Sequence, residues 1–198
     1  QVDSNREKMR VSADYLMSLL NDVLQMSKLE SGETTLAHEP MNPYRMGEEI
    51  LTIVGQRAAE SGVTMTFDEH SDQAADLWVY GSPIHLRQIF LNIYTNCIKY
   101  NKVGGSITTL IQMVEKDGKN VTYRWTISDT GIGMSEAFLE HIFDPFTQEN
   151  TDARSVYQGA GLGMAIVKGL VEQMGGHIQV SSRENVGSTF VVTIPFEI

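Results

Sequence analysis

The sequence is poor in cysteine, in long apolar runs and in positive charge, and each shortage excludes a class of protein. Its 198 residues include one cysteine, Cys97, so neither an internal disulfide nor a zinc site built on cysteines can form. This usage suits a reducing cytosol. No apolar run is long enough to span a bilayer, and no signal-peptide pattern is present. Because the chain opens in mid-helix, we expect any membrane anchor to belong to absent segments of a longer parent protein.

Lysine and arginine number 15 against 25 aspartates and glutamates, which gives a formal net charge of -10. This balance argues against a nucleic-acid-binding protein, because such proteins neutralise phosphates with basic side chains. A phosphate-bearing ligand would need local donors and a cation to offset the repulsion. Hydrophobic residues make up 41% of the sequence, which predicts a globular domain with a sizeable core.

A long helix is predicted over residues 4–31, because apolar side chains recur there at alternating spacings of three and four. They are Met9, Ala13, Leu16, Leu19, Leu20, Val23, Met26 and Leu29. Gly32 ends this helix. A seam this continuous predicts packing along a partner helix or a second chain. The alternative is an ordinary core helix of the domain that follows.

From residue 34 the pattern becomes mixed α and β. Further helices are predicted over 43–60, 83–101, 135–140 and 162–174, with Ser82 as the N-cap of the second. The predicted strands are "TTLAHEP" ended by Pro40, "VTMTFDE", "LWVYG", the two arms of a hairpin around "KDGKN", and a last pair after Gly175-Gly176. An α+β fold is therefore expected.

The helix at 83–101 carries Asn92, Asn96 and Lys99 along one edge of its apolar stripe. Asparagine costs roughly half a kcal/mol relative to alanine in a helix, so two on one stripe need an explanation. An amide oxygen suits Mg²⁺, and a lysine one turn on can meet a phosphate oxygen. The alternative is the polar flank of a solvated helix.

Two further segments are candidates for ligand contacts. In "SDTGIGMS", Asp129 ends a strand as an acceptor for an exocyclic amine, and Gly131 and Gly133 let the backbone approach a flat ligand, although such turns are common. In "GAGLGMAIVKGL", residues 159–170, glycines precede a helix whose N-terminus favours phosphate. The segment is neither a Walker loop nor a dinucleotide fingerprint.

Residues 144–160 lack hydrophobic periodicity, and a loop of this length is usually a lid, a binding loop or disorder. Because it directly precedes the glycines, a lid over a nucleotide is the favoured interpretation. Phe143 and Phe146 are either anchors of this lid or core residues.

Taken in order, these segments resemble the ATP-binding domain of sensor histidine kinases, in the superfamily shared with gyrase, the ninety-kilodalton heat-shock chaperones and mismatch-repair ATPases. The resemblance rests on "LRQIFLNIYTNCIKY" for the N-box, "DTGIGM" and "GAGLGMAIVKGLVEQMGG" for the two glycine boxes, "FDPFTQ" for the F-box, and "VGSTF". It covers residues 34–198 and implies a Bergerat-type fold, a two-layer α/β sandwich with a mixed sheet on three helices. Residues 1–33 resemble part of the dimerisation and histidine-phosphotransfer domain, its second helix.

The resemblance also implies roles for individual residues. Asn92 would bind the Mg²⁺ that bridges the ATP phosphates, Asn96 would join the same shell, and Lys99 and Tyr100 would lie along phosphates and ribose. Asp129 would accept the adenine amino group, and Thr189 would support it through a water. Gly131 and Gly133 would line the adenine and the lid hinge. Further nucleotide contacts would come from Phe146, Gly159, Gly161, Leu162 and Gly163. The implied partners are a response-regulator receiver domain and a second copy of the parent protein.

Three departures from the family pattern stand out. Cys97 occupies a position where alanine is usual, a change we expect to be tolerated, and Ser82 replaces a common aspartate but can still cap. No histidine stands in a phosphoacceptor motif; the five are His38, His70, His85, His141 and His177. The chain is therefore interpreted as a fragment that binds ATP without carrying the acceptor. The alternatives are a degenerate binding module and a chaperone-type or topoisomerase-type ATPase, the latter opposed by the F-box and the first helix.

Overall fold

The computed structural model describes residues 2–69, 77–149 and 160–198. Its elements in these ranges are α1 (Val2–Glu30), β1 (Glu39–Met41), α2 (Pro43–Glu60), β2 (Thr64–Glu69), β3 (Val79–Gly81), α3 (Pro83–Lys99), β4 (Ser106–Lys116), β5 (Asn120–Asp129), α4 (Glu136–Leu139), α5 (Gly163–Gln173), β6 (His177–Arg183) and β7 (Gly187–Glu197). None of the helices in these ranges is long and apolar enough to cross a bilayer.

The seven strands form one mixed sheet in the order β1-β3-β7-β5-β4-β2, and β6 pairs with β7 as well. Only β2 and β4 run parallel among the pairings described, and the others are antiparallel. Alternate residues of β5 are buried on one face, the largest being Tyr123 and Trp125. Phe90 of α3 meets Trp125 with ring centroids 5.1 Å apart. Helices α2, α3 and α5 cover this face, which confirms the predicted two-layer α/β sandwich.

The start of the domain differs from expectation in the position of its first strand. The predicted strand over "TTLAHEP" is displaced, because β1 spans Glu39–Met41 and contains Pro40 instead of ending at it. Among the described strands β1 pairs with β3 alone, so it is an edge strand of the sheet. Pro40 lacks a backbone N–H, and an edge strand tolerates this loss because its outer side forms no hydrogen bonds to another strand. A proline inside a strand is tolerated only in such a position.

Ser82 stands at the N-cap position of α3, but its hydroxyl does not cap the helix. The oxygen instead accepts the backbone N–H of Ala37 at 3.0 Å and lies 2.7 Å from Nδ1 of His85. Burial lowers the pKa of His85, so its neutral ring can accept the serine proton. Ser82 therefore fastens the segment before β1 to the first turn of α3.

Helix α1 packs against the sandwich through its C-terminal turns. Gln25 and Gln88 exchange two amide hydrogen bonds, of 2.8 and 2.5 Å, between α1 and α3. Leu29 lies over Gly169 of α5, where an added Cβ would approach it to 3.3 Å. Farther along the predicted seam, Leu16 and Leu20 are 64% and 52% exposed. The domain therefore covers the end of the seam, and a partner helix for the rest stays a prediction.

Candidate functional site

A cavity of about 1130 Å³ opens between the C-terminal half of α3, the turn after β5 and the start of α5. Its wall brings together residues that the sequence places far apart. The predicted site residues in this wall are Asn96, Lys99, Tyr100, Asp129, Gly133, Gly161 and Gly163. A second, more open groove of about 740 Å³ lies between α2 and β2, but no ionisable side chain lines it. The first cavity is therefore the candidate site.

Asp129 provides the carboxylate of this cavity, and the residue is half-buried. Its Oδ1 accepts the backbone N–H groups of Gly131 at 2.8 Å and Ser188 at 3.3 Å. Burial raises the pKa of Asp129, while the hydrogen bonds from the backbone N–H groups of Gly131 and Ser188 oppose the rise. The result is an oriented acceptor at the end of β5, suited to an amine donor.

The turn that follows Asp129 is pressed between two other parts of the domain. Ile132 donates its N–H to the carbonyl of Tyr100 at 3.0 Å and accepts the N–H of Asn185 at 2.7 Å. Gly133 has φ +64°, and a Cβ there would lie 1.9 Å from the carbonyl oxygen of Arg183. No other residue fits this close approach without moving the backbone. Gly133 and the two hydrogen bonds of Ile132 therefore hold this turn in place beside the cavity.

The polar stripe of α3 faces the start of α5. Asn92 lies beside Gly163, since a Cβ built on that glycine would be 3.9 Å from Oδ1 of the asparagine. Asn96 and Lys99 continue the stripe along the cavity wall, and Nζ of Lys99 lies 4.8 Å from the ring centroid of Tyr100. The cavity wall therefore contains the amide of Asn96, the ammonium group of Lys99 and the backbone at the N-terminus of α5, groups suited to phosphate with a hard cation.

The F-box segment and the second glycine box are joined through their backbones. Phe146 donates its N–H to the carbonyl of Gly161 at 3.0 Å. Its side chain, however, is 68% exposed and is not among those lining the cavity, whereas Phe143 packs against the core. Leu162 is fully buried, so only its backbone can reach a ligand.

Some predictions fall outside the described residues. Gly159 lies there, as does His70, and so do residues 150–159 of the predicted lid. The described residues of that loop, 144–149 and 160, contribute Thr147, Gln148, Glu149 and Ala160 to the cavity wall. A carboxylate oxygen of Glu149 accepts the N–H of Ser135 at 3.1 Å, which ties this segment to the start of α4.

The structure corrects the placement of Thr189. Successive residues of a strand face opposite sides of the sheet, and residues directly opposite in an antiparallel pair share a side. Ser188 is opposite Asp129 and lines the cavity, whereas Thr189 is opposite Ser128 on the other face, with their hydroxyl oxygens 2.9 Å apart. Of these two hydroxyl-bearing residues of β7, Ser188 is therefore the one on the same face of the sheet as Asp129. Counting alternation back from the buried Phe190 would have identified it.

Other residues of the wall escaped prediction. Cys97 and three apolar side chains, Met134, Phe138 and Ile142, line the cavity. Apolar residues are common in any core, so these residues could be assigned to the cavity only after the structure showed that the strand and the turn border it. Asp22 also lies in the wall, brought there by the docking of α1, and no local pattern announces this. Burial raises the pKa of Asp22.

Comparison with known proteins identifies the class. The model of the histidine kinase-, DNA gyrase B- and HSP90-like ATPases matches residues 81–198, and the chain belongs to this family. It is 34% identical over 93% of its length to the circadian input-output histidine kinase CikA of Synechococcus elongatus. It is likewise 34% identical over 94% of its length to the autoinducer 2 sensor kinase/phosphatase LuxQ of Vibrio vulnificus. The chain covers 24% and 22% of these two relatives, about a quarter of each.

Solved structures agree with this assignment. Full-length ShkA in complex with AMPPNP superposes with a TM-score of 0.82 and 29% identity, over 98% of this chain and 39% of that one. The Acinetobacter baumannii histidine kinase AdeS, at 21% identity and a TM-score of 0.74, matches over 95% of this chain and 82% of its own, and supports the fold alone. The sandwich is thus the ATPase fold found in histidine kinases.

Proposed function

We propose that this chain is the ATP-binding catalytic part of a two-component sensor histidine kinase. The parent protein would transfer the γ-phosphoryl group of ATP to a histidine on an acceptor helix, and an aspartate of a response-regulator receiver domain would then take it. One observation carries the proposal: a single cavity is lined by Asp129 at the end of β5, by Asn96 and Lys99 of α3, and by Gly161 and Gly163 at the start of α5. The carboxylate suits the base end of ATP, and the amide, ammonium and backbone groups suit its phosphate end.

At the base end, the carboxylate of Asp129 accepts the adenine amino group, and its orientation is held by the N–H groups of Gly131 and Ser188. The apolar side chains of Met134 and Ile142 give the flat base a dry contact surface. Pairing a donor on the base with a half-buried acceptor favours adenine, because a base that offers a carbonyl there would leave two acceptors facing each other.

At the phosphate end, the amide oxygens of Asn92 and Asn96 fit Mg²⁺, a cation that accepts neutral oxygen ligands and keeps several waters. Mg²⁺ would supply neutralisation of phosphate charge. Lys99 places an ammonium group along the same wall, and Gly161 and Gly163 bring backbone close to the cavity. In a chain of net charge -10, these local groups offset the repulsion that the whole surface exerts on a nucleotide. The protein's contribution to transfer is then positioning and charge stabilisation.

The acceptor histidine would belong to another segment of the parent. We further propose that this chain lies on the cytoplasmic side of any membrane and that two copies of the parent protein dimerise through α1. The exposed part of the α1 seam supports this dimerisation, because Leu16 and Leu20 would bury their apolar surface against a second copy. The boundary between helix and catalytic domain at residues 33–34 is part of the same proposal.

Replacing both Leu16 and Leu20 of α1 by glutamate is expected to weaken dimerisation of the full-length parent at least tenfold, because each buried leucine contributes roughly 2 kcal/mol. Sedimentation equilibrium measures the association constant. Glutamates at Ser18 and Asn21, exposed polar positions of the same helix, form the matched control. An unchanged dimer in the leucine variant would place the dimer interface elsewhere.

Asn92→Ala is expected to remove the Mg²⁺ dependence of nucleotide binding, because it deletes the amide oxygen that lies beside the α5 N-terminus. Calorimetric titration with a non-hydrolysable ATP analogue, with and without Mg²⁺, should show tighter binding with the cation in the native chain. In the variant the two affinities should agree within about twofold, a loss on the order of 2 kcal/mol of cation-linked binding. Asn21→Ala, the same change on an exposed face of α1, is the control.

The outcomes separate the competing functions. No binding by the native chain would favour a degenerate interaction module, and binding that ignores both Mg²⁺ and Asn92 would remove the metal assignment. Adding the acceptor helix of the parent as a separate protein should yield acid-labile phosphate on histidine. Steady ATP hydrolysis without a phosphoprotein would instead favour a chaperone-type or topoisomerase-type ATPase.

A further inference from the structure

We infer that Arg57, in the last turn of α2, is a further binding residue of the candidate site, and that its guanidinium group contacts the phosphate groups of the bound nucleotide. The inference rests on the proposed function and deepens it. It adds a phosphate contact from a helix outside the segments that carry the family resemblance. A lone arginine near the end of a helix is an ordinary surface residue, so its sequence position alone does not announce this role.

The end of α2 lies beside the end of α3. Gly104, in the loop after α3, donates its N–H to the carbonyl of Gly62, in the turn after α2, at 2.8 Å. A Cβ built on Gly62 would lie 3.2 Å from Cγ1 of Val103, so the segments that follow the two helices are in contact. Arg57 and Lys99 belong to the last turns of these two helices, and both line the candidate cavity. Helix α2 therefore brings a second positive charge to the wall that contains Lys99.

The balance of charge in the cavity wall gives this second cation a purpose. Among the described residues that line the cavity, Arg57 and Lys99 are the basic ones, whereas Asp22, Asp129 and Glu149 are acidic. A nucleoside triphosphate brings further negative charge, of which Mg²⁺ neutralises only a part. The guanidinium group of Arg57 offsets repulsion that the ammonium group of Lys99 would otherwise have to balance alone.

The guanidinium group of Arg57 is available for such a contact. The residue is exposed, and within the described ranges no hydrogen bond, ion pair or ring contact joins its guanidinium group to another side chain. The other arginines of α2 and α3 have partners, since Arg45 lies 5.9 Å from the centre of the Trp78 ring and Arg87 pairs with Glu49 at 3.0 Å. A guanidinium fork also presents paired N–H donors that match two phosphate oxygens.

The test replaces Arg57 by glutamine and measures two ligands in Mg²⁺, ATP by titration calorimetry and adenosine by chemical-shift titration. Adenosine has the same base and ribose but no phosphate. Arg57→Gln should lower ATP affinity about tenfold, the value of one hydrogen bond between charged groups, and should change adenosine affinity less than about twofold. Raising the salt from about 0.05 M to about 0.5 M should reduce the difference in ATP affinity to less than about threefold, because an exposed charge is screened.

Arg45→Gln is the matched control, because it removes the same charge from the first turn of the same helix, where the arginine lies over Trp78. This variant should bind both ligands as the native chain does. Thermal unfolding of both variants measures the structural alternative, in which Arg57 only stabilises the C-terminal end of the α2 dipole.

Three results would overturn the inference. Native ATP affinity in Arg57→Gln would do so, whether or not the variant unfolds at a lower temperature. Equal losses of ATP and adenosine affinity would show that Arg57 acts on the fold or on the base, and an equal loss in Arg45→Gln would show that only the net charge of the chain matters. If the native chain binds no ATP, the proposed function fails first; if Asp129→Asn loses ATP affinity and Arg57→Gln does not, only this inference fails.

Discussion

Asp129→Asn is expected to reduce ATP affinity on the order of a hundredfold while leaving the fold intact. The asparagine carbonyl can still accept the N–H groups of Gly131 and Ser188, so the turn after β5 keeps its hydrogen bonds. Its amide NH₂ group, however, would face the amino group of adenine, and both groups are donors. The loss combines a hydrogen bond to a charged acceptor with an unpaired buried donor, together about 3 kcal/mol.

Titration calorimetry with an ATP analogue measures this loss, and thermal unfolding checks the fold. The matched control is Asp117→Asn in the turn between β4 and β5. Asp117 also accepts two backbone N–H groups with Oδ1, from Lys119 at 2.8 Å and Asn120 at 2.7 Å, but far from the cavity. The control should lose some stability and no affinity. An Asp129→Asn variant that binds ATP as tightly as the native chain would place the base elsewhere.

The helices and most strands of this fold could be predicted because their signals are local. The apolar stripe of α3, the proline at its first turn and the "KDGKN" turn each depend on residues within one or two turns of one another. The same holds for the polar stripe, since helical spacing alone puts Asn92, Asn96 and Lys99 on one edge of α3. The order of strands in the sheet then brings this edge together with Asp129 and the α5 glycines.

What could not be predicted depends on contacts between distant segments. The predicted strand at 34–40 is displaced because the bounds of β1 are set by pairing with β3 and not by its own residues. Cys97 and Asp129 come to the same cavity wall by helix-on-sheet packing that no motif encodes. The motif pointed to Thr189 instead of Ser188 because a motif gives positions along the chain, whereas the face of a strand is set by its register with β5.

The docking of α1 is a similar case. Its apolar seam predicted a partner helix, and the chain's own domain covers the last turns through the Gln25–Gln88 amide pair. An amide pair of this kind has no sequence signature, since each glutamine alone is a normal surface residue of a helix. The same docking brings Asp22 to the wall of the cavity, so α1 and the candidate site are in physical contact.

Gly187→Ala is expected to destabilise the domain by about 4 kcal/mol, a large effect for a single methyl group, and to weaken nucleotide binding in whatever fraction remains folded. Gly187 has φ +135°, and a Cβ there would lie 1.9 Å from the carbonyl oxygen of Asp129. Backbone strain and overpacking against another backbone contribute about 2 kcal/mol each, because neither neighbour can rotate away. Urea denaturation measures the change in the free energy of unfolding.

The control for this variant is Gly118→Ala in the β4–β5 turn, where an added Cβ meets nothing within 4 Å, so its stability should change by less than about 1 kcal/mol. The two readouts of Gly187→Ala are linked, because the residue that follows Gly187 donates its N–H to the Asp129 carboxylate. A shift of β7 that relieves the clash would therefore move the N–H of Ser188 away from the Asp129 carboxylate. If Gly187→Ala were as stable as the control and bound ATP with native affinity, the close approach of β7 to the end of β5 would be contradicted. The orientation of Asp129, on which the whole site depends, would be contradicted with it.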